Sequence, residues 1–168
     1  RTIFVLLAYT GLRRSELIDL NWQHVDLTDG VLTVIDGKGG KNRKVGICPE
    51  AEQQLCIWLG HYRPESEYAN LLLQEDGRPI TGSVIQGRIR RLRQAAGVYI
   101  TAHGLRRSFA TFNADKGIPM QYLQKALGHS DLKTTQIYVQ SDERASIHWL
   151  RNRGKQEMDS SKPAGKSL

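Results

Sequence analysis

The chain has 168 residues, 39% of them hydrophobic and 24% charged, proportions that build an ordinary soluble globular protein rather than a disordered one. Its longest apolar run, Ile3 to Tyr9, falls far short of the ~20 residues that span a bilayer. Two cysteines cannot make a disulfide framework, so a secreted mini-protein is excluded together with a membrane protein and a coiled coil. The chain starts at Arg1 without a signal peptide and reads as part of something longer, in a reducing, cytoplasmic compartment where Cys48 and Cys56 are expected as buried thiols.

Thr2 to Tyr9 predicts a buried helix ending at Thr10-Gly11, and Arg13 to Leu20 a second, with Leu17 and Leu20 inward and Glu16 and Asp19 outward. Val31 to Ile35 and Arg43 to Ile47 alternate as a hairpin whose tip, Asp36 to Lys41, is glycine-rich and basic. Pro49 opens a helix to about Leu59, with Leu55, Ile57 and Leu59 for packing. A polar loop, His61 to Asn70, precedes a possible third strand at Leu71 to Leu73. Thr81-Gly82-Ser83 caps a helix that stops near Gly97. Further helices are expected from Thr101 or His103 to near Gly117, from Pro119 to Leu127 closed by Gly128, and from Asp131 to about Tyr138. The fold class is mainly α with a small antiparallel hairpin or sheet (α+β), with residues 1–153 as one domain and 154–168 as a flexible tail. Trp22, Trp58 and Trp149 are expected to pack rather than stack on bases.

The net charge is +7, and its excess is concentrated. No acidic residue lies between Asp76 and Asp115, whereas Arg78, Arg88, Arg90, Arg91, Arg93, Arg106 and Arg107 do. Lys38, Lys41, Arg43 and Lys44 form a second cluster. One basic run is usually a solvated face; two in a small domain point to a phosphate backbone. The cations are mostly arginines, and no strongly amphipathic helix with exposed Trp or Phe accompanies them, so nucleic acid is favoured over membrane. Gly-Leu-Arg-Arg-Ser occurs at residues 11–15 and again at 104–108. Each copy is expected to set an arginine at a helix start after a glycine turn, where it and free N–H groups can face one anion.

Four segments then carry a resemblance. Thr10-Gly11-Leu12-Arg13-Arg14-Ser15-Glu16-Leu17 resembles the first signature of the tyrosine recombinases, the phage integrases and Xer-type recombinases. Gly37-Lys38-Gly39 is similar to that family's catalytic lysine turn, and His103-Gly104-Leu105-Arg106 to its His-x-x-Arg box. Leu127-Gly128-His129-Ser130, followed by Tyr138, resembles its nucleophile segment. The four occur in family order. Departures are Arg107, where the family more often has His, and Gly104, often Asp.

The residue types suit metal-free phosphodiester cleavage. Arginine forks bind phosphate oxygens bidentately and never lose charge, which fits Arg13 and Arg106. His103 and Arg106 lie on one helical face and can reach one phosphate. A tyrosine hydroxyl, with a reference pKa near 10, needs activation; the arginines supply the field and His103 is a candidate acceptor for the proton. Lys38 is the candidate general acid for the leaving 5′-oxygen. His129 would hydrogen-bond the phosphate, and Glu16, one turn from Arg13, would support the site. Arg107 competes with Arg106 as phosphate ligand, and Arg106 is preferred because it follows Gly-Leu as Arg13 does.

The resemblance implies a site-specific DNA recombinase of a prokaryote or phage. Tyr138 would form a 3′-phosphotyrosyl bond, and strand exchange would follow without cofactor or metal. Partners would be double-stranded DNA and further copies of the chain, monomeric alone and tetrameric on DNA, with Asp142 to Arg153 as an exchanged segment. Lys41, Arg43, Lys44, Arg88, Arg90, Arg91, Arg93 and Arg107 would contact DNA, and the chain is expected to be the catalytic domain without the family's N-terminal helical domain. The rival readings are a type IB topoisomerase, disfavoured by Leu-Gly-His-Ser, and a non-catalytic DNA-binding remnant, disfavoured by the full residue set.

Overall fold

A computed structural model of the chain describes residues 1–35 and 42–128. Thr2–Thr10 forms α1, in which Leu6 and Leu7 are wholly enclosed and the Thr10 hydroxyl donates to the Leu6 carbonyl at 2.6 Å. The helix stops at Gly11, at φ 65°, and a Cβ there would lie 2.6 Å from Cδ1 of Phe109. Backbone and packing therefore both demand glycine. The turn delivers Arg13 to the N-cap of α2, Arg14–Asp19, slightly shorter than predicted. Leu17 and Leu20 are buried and Asp19 is exposed, as expected. Glu16 departs from the expectation: it faces a cluster of arginines rather than water.

The sheet has three antiparallel strands in the order β1 (Val25–Asp26), β2 (Val31–Val34), β3 (Arg43–Gly46). Leu32 pairs with Val45 and Val34 with Arg43, so the buried Leu32, Val34 and Val45 share one face. The pairing of β2 with β3 is as predicted, the hairpin tip lying outside the described residues, but the third strand is Val25–Asp26, not Leu71–Leu73. The latter segment is buried and has one isolated bridge, Leu73 with Pro79, beside that of the preceding Asn70 with Asn21. A run of three leucines has no polar face to give to solvent, so it lines the core.

Pro49–Ile57 forms α3, which runs on into a π-helical turn, Trp58–Tyr62, beyond the predicted end. Trp58 packs on the core and its indole N–H donates to the Leu71 carbonyl at 2.8 Å. Two expectations fail: Cys56 is exposed and Cys48 partly exposed, because Leu55 takes the inward face, and Trp22 is exposed. Thr81 caps α4, Gly82–Ala96, and Thr101 caps α5, Ala102–Asp115. Met120–Leu127 forms α6 and ends at Gly128. α1 packs against α3 and α5, and α6 against α5 and β3. The second Gly-Leu-Arg-Arg-Ser copy lies inside α5, not after a glycine turn, because Thr101 has already started the helix. Lys38, Lys41, His129, Tyr138, Trp149 and the segments 131–138, 142–153 and 154–168 lie outside the described residues.

Candidate active site

Arg13, Arg43 and Arg106 come from α2's N-cap, β3 and α5, and all three meet the Glu16 carboxylate. Arg43 is bidentate, with Nη1 on Oε1 at 2.8 Å and Nη2 on Oε2 at 2.7 Å. The Arg13 backbone N–H donates to Oε2 at 2.6 Å and its Nη1 to Oε1 at 2.7 Å. Nη1 of Arg106 stands 3.8 Å from Oε2. Side-chain exposure separates the three: 44% for Arg13, 11% for Arg43 and 5% for Arg106.

The same arginines cap the end of α6. Nε of Arg43 donates to the Ala126 carbonyl at 2.8 Å, Nη2 of Arg106 to Leu127 at 2.6 Å, and Nη2 of Arg13 to Gly128 at 2.9 Å. Nη1 of Arg106 also donates to the Gly11 carbonyl at 2.6 Å. The last carbonyls of a helix have no partner within it and carry its negative end, so three cations on three consecutive carbonyls satisfy them and complement the dipole. Gly128, at φ 64°, leaves room for Arg43: a Cβ would meet its Nη1 at 3.0 Å.

Burial pulls the Glu16 pKa upward, but it is outweighed. The Arg43 hydrogen bonds, the Arg13 backbone N–H, the Arg43 charge and the Arg13 side chain hold it at about 2. Glu16 is therefore anionic throughout the physiological range, and its charge is spread over cations rather than water.

Of the expected site residues, Arg13 and Arg106 come together with Glu16 as their shared anchor. His103 is exposed, one turn of α5 before Arg106. Arg107 is exposed, whereas Arg106 is buried with its guanidinium on the Gly11 and Leu127 carbonyls. Arg88, Arg90 and Arg91 are exposed on α4, Arg93 is half-buried against the Tyr99 ring at 3.8 Å, and Lys44 is exposed on β3. Arg43 corrects an expectation. Placed among DNA contacts, it is instead committed to Glu16 and Ala126. The sign was available in the strand's alternation, since Arg43 shares a side with the buried Val45 and Lys44 does not. A cleft of about 590 Å³ between α1 and α4, lined by Arg1, Trp58, Glu75 and Arg88 among others, includes none of the cluster.

Comparison with known proteins gives this arrangement a family. The model of the phage integrase family matches residues 1–145. The tyrosine recombinase XerA of Thermococcus kodakarensis is 41% identical over 143 residues, covering 83% of this chain and 50% of that protein. A crystal structure of XerA recombinase superposes with a TM-score of 0.81 at 32% identity, covering 98% of this chain and 58% of that one. XerH recombinase, solved on its palindromic difH substrate as a post-cleavage complex, gives 0.74 at 28% identity, covering 90% and 44%. This chain spans about half the length of the curated relatives it matches. With its mainly helical fold, its three-stranded sheet and its arginines gathered on Glu16, the chain belongs to the phage integrase family of tyrosine recombinases.

Proposed function

We propose that this chain is the catalytic domain of a site-specific DNA recombinase working by metal-free transesterification. The observation that carries the reading is the convergence of Arg13 and Arg106, far apart in sequence, on one carboxylate, with the exposed His103 one turn of α5 before Arg106. Charge that develops on nonbridging phosphate oxygens needs preorganised cations, and removal of one such donor typically costs ~10²–10³ in rate. Arg13, the most exposed of the three, offers its fork at the rim, and Arg106 supplies charge from beneath.

In this reading the Tyr138 oxygen attacks the phosphorus and the P–O5′ bond breaks, leaving a 3′-phosphotyrosyl link and a 5′-hydroxyl. His103 accepts the tyrosine proton and Lys38 protonates the departing oxygen, so protons and charge balance without a cofactor. His129, next in sequence after the capped end of α6, hydrogen-bonds the phosphate. The 5′-hydroxyl of a partner strand reverses the step on a new junction, and the ester's energy is retained throughout. Four copies assemble on paired sites. The exposed arginines of α4, with Lys44 and Arg107, support DNA as the partner, as does the DNA-bound XerH relative.

A nicked suicide duplex drawn from a randomised pool, incubated with the protein in EDTA, tests the reading on a denaturing gel. A covalent protein–DNA adduct is expected from the wild type and not from Tyr138→Phe. An adduct that persists in Tyr138→Phe, or no adduct from either protein, overturns it.

A further inference from the structure

Arg43 lies outside the set that the proposed chemistry uses, yet its whole guanidinium is committed to the cluster. All three of its donor nitrogens are engaged: Nη1 and Nη2 on the two Glu16 oxygens and Nε on the Ala126 carbonyl. Its side chain is only 11% exposed, so it has little surface to offer a ligand. Each contact reaches a different part of the candidate site. Glu16 is the carboxylate that grips Arg13 through both backbone and side chain. Ala126 begins the run of three carbonyls at the end of α6, immediately before His129 in sequence. Arg43 itself stands at the start of β3, on the described side of the segment that holds Lys38.

We infer that Arg43 is a positioning residue of the active site: its planar fork holds Glu16, and through it Arg13, at a fixed distance from the end of α6. The inference goes beyond the proposed function but rests on it for its catalytic readout. Lysine cannot replace the fork, because one ammonium on a flexible stem does not span two carboxylate oxygens and a carbonyl in three fixed directions. Without the fork, Glu16 loses its tie to β3 and to the Ala126 carbonyl, and Arg13, left with Glu16 and the Gly128 carbonyl alone, is held less firmly where the phosphate must sit. Misplacement of about 1 Å in such a site can cost ~10²-fold in rate.

The test compares the full chain with Arg43→Lys and Arg43→Met in single-turnover adduct formation, in duplex binding across a salt series, and in thermal melting. Adduct formation is expected to slow ~10²-fold in both variants, with the folded fraction unchanged at the assay temperature. Duplex affinity should stay within about twofold and the slope of log K against log salt should not change, because each lost phosphate contact would lower that slope by ~0.9. A slope reduced by about one in Arg43→Met would make Arg43 a phosphate ligand and overturn the inference. Rates that merely follow the folded fraction, or that stay near wild type, overturn it too.

A second readout separates this failure from failure of the proposed function. If the wild type forms no adduct, the recombinase reading falls, and Arg43 is judged by NMR of the Glu16 carboxyl and of the Gly128 amide. The Arg43 variants should raise the Glu16 titration midpoint toward its ordinary range and speed Gly128 amide exchange at least tenfold, about one decade on the opening equilibrium. No change in either sinks the positioning role. If Arg43→Met does not fold, Arg43→Lys carries the same measurements.

Discussion

Two arginine-rich regions of this molecule hold the same residue type in opposite states. On α4, Arg88, Arg90 and Arg91 stand in water, and the residues that hold the helix in place are Ile85 and Ile89 on the other face. Around Glu16, Arg43 and Arg106 are drawn into the protein and Arg13 lies at its edge, each bonded to a carboxylate, a backbone carbonyl or both. The first region is a field that any polyanion feels. The second is a piece of architecture in which one carboxylate and a run of carbonyls hold three cations in fixed places. A count of basic residues cannot tell the two apart, because burial and partners decide what each charge does.

If that division is right, the two regions break differently. The largest effect on folding belongs to Glu16→Ala, which leaves partly buried arginines facing one another; about 3–5 kcal/mol of stability should be lost in a denaturant melt. The corresponding acid titration is next. Glu16's folded pKa, about 2, lies below its ordinary 4.5, so its stabilisation is fully present above about pH 4.5 and is lost as pH falls toward 2. That shift corresponds to roughly 3 kcal/mol, and wild-type stability should fall by about that much more than Glu16→Gln over the same window. An identical acid limb in the two proteins would mean the carboxylate is not held as described.

Gly11→Ala sharpens the comparison through the backbone that presents Arg13. At φ 65° and 2.6 Å from Phe109, the added methyl should cost about 2 kcal/mol in melting experiments. On α4, Arg88→Ala and Arg91→Ala should change melting by less than ~0.5 kcal/mol. Each should instead weaken binding to unrelated duplexes and lower the salt slope by ~0.9. The smallest effect is expected at the exposed Asp76–Arg78 pair, where Asp76→Asn should leave both melting and duplex binding unchanged, since surface pairs contribute little. A strong loss of stability from the α4 variants would erase the distinction between the regions.

Much of this protein is determined by the sequence alone, because the signals are local. Gly11 and Gly128 end α1 and α6, Thr81 and Thr101 start α4 and α5 with side-chain caps, and alternation marks β2 and β3. The pairing of Arg13 with Glu16 within one helical turn is equally local. Tertiary structure decided what lies beyond a few residues' reach. It brought Val25–Asp26, rather than the leucines at 71–73, to the edge of the sheet, and left Cys56 in solvent. It also turned Arg43 from a surface cation into the partner of Glu16 and the cap of α6. No local rule specifies that a carboxylate on α2, an arginine on β3 and the end of α6 will meet. Their meeting depends on how the hydrophobic faces of α1, α5, α6 and the sheet pack, and only that packing removes the water that would otherwise have kept each charge apart.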